Sequence, residues 1–163
     1  RGTVAQNIGL GDPKVSREKT LRAAAGARLS EFLRSHANGL DAKVEERGAN
    51  LSFGERQLIA FARILAFDPD VLILDEATAN IDSHTEQLIQ EATRKVRQGR
   101  TSLIIAHRIS TIMDCDKIVV LDRGHIAEQG THGELYALGG IYRKLCDAQF
   151  GEGKSIDEVT LTP

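Results

Sequence analysis

The pattern of apolar and polar positions changes rhythm near Asn50. Before it, Val4, Ile8, Leu21, Leu29, Phe32 and Leu33 recur at helix-like spacings among polar neighbours. Ser16 predicts the cap of a helix through Leu21; Gly26 interrupts, and a second helix runs to about Ser35. Asn38-Gly39 marks a turn, and the stretch from Asp41 to Asn50 is polar and unpatterned. After Asn50, a helix over 52–66 carries Leu58, Phe61, Ala62 and Leu65 on one face, and Asp68-Pro69 stops it. The wholly apolar run Val71-Leu72-Ile73-Leu74 predicts a strand, and Ser83 opens a helix that turns Leu88, Ile89, Ala92 and Val96 inward and ends at Gly99. A second strand covers Leu103-Ile104-Ile105-Ala106, and a short helix follows near Ile109–Met113. A third strand, 118–121, turns through Asp122-Arg123-Gly124-His125 into Ile126-Ala127-Glu128. Two helices, 134–138 and 141–150, precede a polar tail from Gly151.

Strands that are apolar throughout are expected to be covered on both faces, and helices separate them. This predicts an α/β fold with a mostly parallel sheet and an edge hairpin. Ligands of such sheets sit beyond the carboxyl ends of the strands.

Composition narrows the function classes. The 163 residues hold 21 basic and 23 acidic side chains, a net charge of −2, which gives no electrostatic footprint for nucleic acid or an anionic membrane surface. No apolar run approaches the roughly 20 residues of a membrane helix, so neither a span nor a signal peptide is expected within this sequence. Cys115 and Cys146 make no disulfide framework and have no His at zinc-ligand spacing, as for free thiols in a reducing compartment. The sequence opens on Arg1, inside a patterned segment, as a fragment of a longer chain does.

The chemistry concentrates at the strand ends. The first strand ends in Asp75-Glu76 and the second leads to His107. An acidic pair after a buried strand suits a Mg²⁺-phosphate site: one carboxylate orients the metal's waters and the other polarises an attacking water. A nearby histidine can hydrogen-bond a terminal phosphate. The bland alternative has Asp75 starting a turn and His107 capping a helix. Leu51-Ser52-Phe53-Gly54-Glu55 opens the longest helix, whose N-terminus offers free N–H groups to a phosphate; Gly54 would permit close approach and Ser52 could donate its hydroxyl. Equally, Ser52 and Glu55 form a capping box, S-x-x-E, that needs no ligand, and Ser83 with Glu86 predicts a second, purely structural one. Residues 148–155 satisfy a loose P-loop pattern but follow a helix with eight residues remaining, so a solvated tail is the better reading.

In order, these pieces resemble the nucleotide-binding domain of an ATP-binding cassette (ABC) transporter of the exporter branch. Leu51–Glu55 is similar to the signature LSGGQ, and 71–76 to Walker B with its catalytic glutamate. Ala79-Asn80-Ile81-Asp82 stands where the family's D-loop reads S-A-L-D, and His107 in Ala106-His107-Arg108-Ile109-Ser110-Thr111 matches the switch histidine. Val119-Leu121-Asp122-Gly124 and Glu128-Gly130-Thr131-His132 match the closing hairpin. Gly2-Thr3-Val4-Asn7-Ile8 resembles the exporter segment after the Q-loop, Glu46-Arg47-Gly48 the end of the X-loop, and Gly139-Gly140-Ile141-Tyr142 with Leu145 and Gln149 the exporter C-terminal helices. Phe53 and Glu55 depart from the signature, and Lys43 stands where the X-loop has glutamate.

The resemblance implies a P-loop NTPase (RecA-like) core plus an α-helical subdomain, incomplete at the N-terminus, with Walker A and the Q-loop upstream of Arg1. Residues 1–66 would form the helical subdomain with X-loop and signature helix, 67–150 the second half of the ATPase core, and 151–163 a flexible tail. It further implies ATP and Mg²⁺, with Asp75 on the metal, Glu76 as general base and His107 on the γ-phosphate. Asp82 links two sites, and Ser52, Gly54 and Glu55 stand at a partner's nucleotide. The partners implied are a second nucleotide-binding domain, head to tail, and a transmembrane domain fused upstream, at the cytoplasmic face of the cell membrane, with no nucleic acid. The fragment alone is expected to be inactive. Two alternatives stay open at this level: a soluble ABC ATPase of DNA repair or chromosome type, and a degenerate noncatalytic partner subunit.

Overall fold

The computed structural model describes residues 1–36, 38–75, 82–106 and 108–150. They divide into two compact units: Arg1–Leu74 with the segment from Asp82 to Leu103, and Asp75 with the segment from Ile104 to Phe150.

The first unit is built around one long helix. Strand β1 (Gly2–Thr3) leads into α1 (Val4–Gly9), then α2 (Arg17–Gly26), α3 (Ser30–Ser35), β2 (Lys43–Val44), α4 (Phe53–Phe67), β3 (Val71–Asp75), α5 (Ser83–Arg97) and the start of β4 (Thr101–Ile105). Ser16 caps α2, as its position before a charged first turn predicts, by accepting from Lys19 N at 3.1 Å. Helix α4 packs against α1, α2 and α5 at once. Leu58, Phe61, Ala62 and Ala66 of its apolar face are buried with Val4, Ile8, Ala23, Ala24, Ala92 and Val96. The alanines let the helices approach closely, and Gly26 approaches so closely that a Cβ there would lie 2.9 Å from Leu65 Cδ1. Asp68 ends α4 in a left-handed conformation (φ 51°), its N–H donating to Ile64 O at 2.8 Å and its carboxylate paired with Arg100.

The polar stretch 41–50, unpatterned in sequence, is ordered by side chains. Asn50 bridges it, accepting from Glu45 N at 2.9 Å and donating to Lys43 O at 2.8 Å. β2 pairs antiparallel with β1, and a bidentate Arg17–Asp41 pair anchors the preceding turn.

β3 and β4 are hydrogen-bonded neighbours. The expectation that these strands are covered on both faces is corrected. Leu72 is buried at 5 % exposure, whereas Val71, Ile73 and Leu103 are 63 %, 66 % and 59 % exposed. Successive side chains of a strand point to opposite faces. Among the described residues, helices cover only the Leu72 face. The sheets seen here are three separate strand pairs, two of them antiparallel, so the mixed helix-and-sheet character holds while an extended parallel sheet is not among them.

The second unit holds the end of β4, α6 (Ile109–Ile112), β5 (Ile118–Asp122), β6 (His125–Gly130), α7 (His132–Leu138) and α8 (Ile141–Phe150). β5 and β6 form the predicted hairpin, with Arg123 and Gly124 both at positive φ, the twist that suits a two-residue connection. Thr131 and Glu134 form a capping box on α7, and Glu128 of β6 accepts from the N–H groups of Ile141 and Tyr142 to cap α8. Ile118, Val120, Leu135, Tyr142 and Cys146 make the core. Burial pushes the Tyr142 hydroxyl well above its ordinary pKa, and it lies 2.7 Å from His132 Nδ1. Among the described residues no helix is long and apolar enough to cross a membrane.

Candidate functional site

The N-terminal turn of α4 is where sequence and geometry meet most closely. Ser52 is its N-cap, in an extended conformation that aims the hydroxyl back over the first turn. Ser52 Oγ accepts from Glu55 N at 3.1 Å, and Glu55 Oε2 accepts from Ser52 N at 2.7 Å, so the reciprocal box is complete. Glu55 is thereby folded onto the backbone of its own helix. The Ser52 hydroxyl keeps its proton to donate outward. Helix geometry leaves the first-turn amides of Phe53 and Gly54 without intrahelical acceptors.

Two groups that sequence reasoning did not single out fix α4, one of them at this turn. Arg56 donates to Gly48 O at 3.3 Å and to Leu51 O, and its guanidinium lies 5.9 Å from the Phe53 ring centroid. It thus holds the loop that enters the helix. Arg63, on the same helix, donates to Asn7 O at 3.0 Å and ties α4 to the end of α1. Arginines at the i+4 and i+11 positions from a helix cap were the available signal, but only tertiary structure supplies the carbonyls they reach.

Gly54 is buried, and the reason lies in α5. A Cβ on Gly54 would lie 2.1 Å from Thr85 Cγ2 and 3.8 Å from Ile89 Cδ1. The missing side chain admits the first turn of the neighbouring helix.

The predicted Ser83–Glu86 box is corrected. The N-cap of α5 is Asp82, one residue earlier, whose Oδ1 accepts from Thr85 N at 2.9 Å. A carboxylate is the stronger cap at a positive helix end, and it displaces the serine. The Thr85 N–H, and after it the Thr85 hydroxyl and the nearby His84, hold the Asp82 carboxyl below its ordinary 3.8. A folded-state pKa below the unfolded one means this stabilisation is complete above the unfolded value and lost as pH falls through it toward the folded value. Asp41, beside Arg17, and Glu134, bonded to Thr131, are shifted the same way. The thermal midpoint is therefore expected to fall below about pH 4. Asp82→Asn keeps a capping oxygen without the titration, so thermal melts across that range should show a smaller acid loss for the variant. An identical acid limb in both proteins would remove Asp82 from the account.

Asp75 is the last residue of β3 and is exposed at the strand's carboxyl end. Glu76 and His107 lie outside the described residues, as do residues 77–81 and the later part of the 148–155 pattern. The structure therefore brings together Ser52, Gly54, Glu55 and Asp82 in the first unit, with Asp75 in the second. No cluster of three or more His, Cys, Asp or Glu side chains able to hold a metal occurs among the described residues. Each end fits its ligand in kind and separately: the hard carboxylate of Asp75 suits Mg²⁺, and the Ser52 hydroxyl with the first-turn N–H groups of α4 suits a phosphate.

Comparison with known proteins gives one consistent result. The profile of the ABC transporter family matches residues 1–79. The uncharacterized ABC transporter ATP-binding protein YknV of Bacillus subtilis is 50% identical over 149 residues, 91% of this chain and 25% of that protein. The ATP-dependent lipid A-core flippase of Shewanella oneidensis is 49% identical over 150 residues, again 91% of this chain and 25% of that protein. Among solved structures, a bacterial Atm1-family ABC exporter with ATP bound superposes with a TM-score of 0.81 at 42% identity, covering 94% of this chain and 27% of the other. The chain thus spans about a quarter of the length of the curated relatives it matches.

Proposed function

We propose that this chain belongs to the ABC transporter family and supplies part of an ATP-binding and ATP-hydrolysing domain that drives export through a transmembrane domain. The observation that carries the reading is the likeness, at 42% identity over 94% of this chain, to an exporter with ATP bound. The strand-end and helix-end chemistry described above supports it.

In this reading residues 1–66 form the helical subdomain, 67–150 the later half of a RecA-like core with a mostly parallel sheet, and 151–163 a tail. The domain works at the cytoplasmic membrane face, head to tail with a second copy or a related domain. Ser52 and Gly54 meet the nucleotide held by that partner: the Ser52 hydroxyl and the first-turn amides donate to phosphate oxygens, with the positive end of α4 behind them. Glu55 stays in its capping box, its carboxylate accepting from the Ser52 N–H rather than being directed at a triphosphate. Mg²⁺, when bound with ATP, neutralises phosphate charge and polarises the bond to be broken. Asp75 orients it. Glu76 accepts the proton of the attacking water, and His107 donates to the terminal phosphate oxygen, reporting its presence or loss. Asp82 joins the signature end of one domain to the facing site. ATP-driven closure and hydrolysis-driven opening then bias the membrane domain between two states.

The test is hydrolysis by the full-length protein reconstituted in liposomes. Mg²⁺-dependent release of phosphate from ATP, lost on chelation, is the expected result. Absence of any ATP turnover in a folded, reconstituted preparation would overturn the proposal.

A further inference from the structure

We propose that Thr85 is a positioning residue that locks the first turn of α4 to Asp82, so that Ser52 and Asp82 are presented as one rigid piece. The inference rests on the ATPase reading above and adds a residue to it. Thr85 is the third residue of α5 and works in two directions. Its γ-methyl fills the space beside Gly54, where a Cβ would come within 2.1 Å of it. Its backbone N–H donates to Asp82 Oδ1 at 2.9 Å, the bond that does most to hold the Asp82 carboxyl below its ordinary pKa. Ser52, Gly54, Thr85 and Asp82 are thus linked in series through the α4 backbone, the Gly54–Thr85 contact and the Thr85–Asp82 hydrogen bond.

The surrounding packing makes the lock stiff. Leu88 and Ile89 of α5 join the core that buries α4. Arg28 pairs with Glu91 at 2.7 Å, and His84 lies 3.1 Å from Glu31, tying α5 to the turn after α2 and to α3. A displacement at the α4 N-terminus therefore reaches Asp82 directly. Gly54 accordingly has a reason to be glycine that is separate from phosphate approach: it is the socket for Thr85.

These two reasons respond differently to trimming Thr85. Gly54→Ala drives its new methyl into Thr85 Cγ2. Thr85→Ser removes that methyl, leaving Thr85 Cβ as the next atom at 3.6 Å, an ordinary contact, while the backbone N–H bond to Asp82 is kept. The experiment is a cycle of Gly54→Ala, Thr85→Ser and the double variant in the full-length protein, reading kcat and KM for ATP together with the thermal midpoint. Misalignment of reacting groups by about 1 Å costs up to about 100-fold. Gly54→Ala is expected to lower kcat by about 10-fold or more with a smaller change in KM, and the double variant to recover most of that loss. Thr85→Ala supplies a second route, since it introduces no clash: it keeps the backbone N–H on Asp82 but loses the methyl beside Gly54, lowers kcat several-fold, and is rescued by Thr85→Val, which restores a γ-methyl there.

If wild-type protein hydrolyses ATP but the double variant is as impaired as Gly54→Ala, Gly54 faces the nucleotide and the positioning role fails. Full activity of Gly54→Ala, or a lowered thermal midpoint with kcat unchanged, overturns it equally. If Gly54→Ala does not fold, Thr85→Ala decides, and wild-type kcat in that variant overturns the proposal. A wild-type protein without ATP turnover instead sinks the ATPase reading itself, which keeps the two failures apart.

Discussion

Glu76→Gln in the full-length protein is expected to bind ATP with near wild-type affinity and to lose nearly all turnover. The amide has the size and shape of the carboxylate and can still hold a water by hydrogen bonding. It cannot accept that water's proton. General-base catalysis contributes about 10²–10⁴-fold, so kcat should fall by about that factor while a nucleotide-binding measurement stays close to wild type. The contrast matters because Asp75, one residue earlier at the end of β3, is assigned to the cation; its loss would weaken Mg²⁺-ATP binding as well as turnover. Hydrolysis by Glu76→Gln at near wild-type rate would remove Glu76 from the proton transfer.

The largest stability effect is expected from Phe61→Ala. Phe61 is 4 % exposed on the face of α4 that packs against α1, α2 and α5. Removing the ring takes buried apolar surface from the fold and leaves a cavity that four closely packed helices cannot collapse to fill. Such Phe→Ala changes cost about 3–5 kcal/mol. Thermal unfolding of the full-length protein, followed through inactivation of its ATPase, should show a midpoint lower by many degrees; Phe61→Leu, which keeps most of the buried surface, should lose much less. A Phe61→Ala midpoint indistinguishable from wild type would mean that this core does not limit the stability of the domain.

The long elements were legible because their residues agree with themselves. The α4 region has apolar residues at helical period, a capping box at one end and Asp-Pro at the other, and the helix runs over Phe53–Phe67. The Arg123-Gly124 turn was read from turn chemistry alone. The 41–50 stretch was not legible, since its order comes from the amide of Asn50 reaching backbone groups of Lys43 and Glu45. The cap of α5 was missed by one residue because Ser83 and Asp82 are both good caps, and the negative carboxylate is the stronger one at a positive helix end.

Of the candidate site, the residue types were readable and their neighbours were not. The sequence by itself determined which groups could handle a phosphate and a cation: Ser52 at a helix start, and Asp75, Glu76 and His107 after apolar strands. These follow from local propensity and from the chemistry of side chains, which are written one residue at a time. Only the tertiary structure decided that Gly54 receives Thr85, that Arg56 holds the loop before Ser52, and that the strands are covered on a single face by the described helices. Those facts depend on which surfaces meet after the chain has turned back on itself, and side-chain packing across two helices leaves no periodic mark in either one.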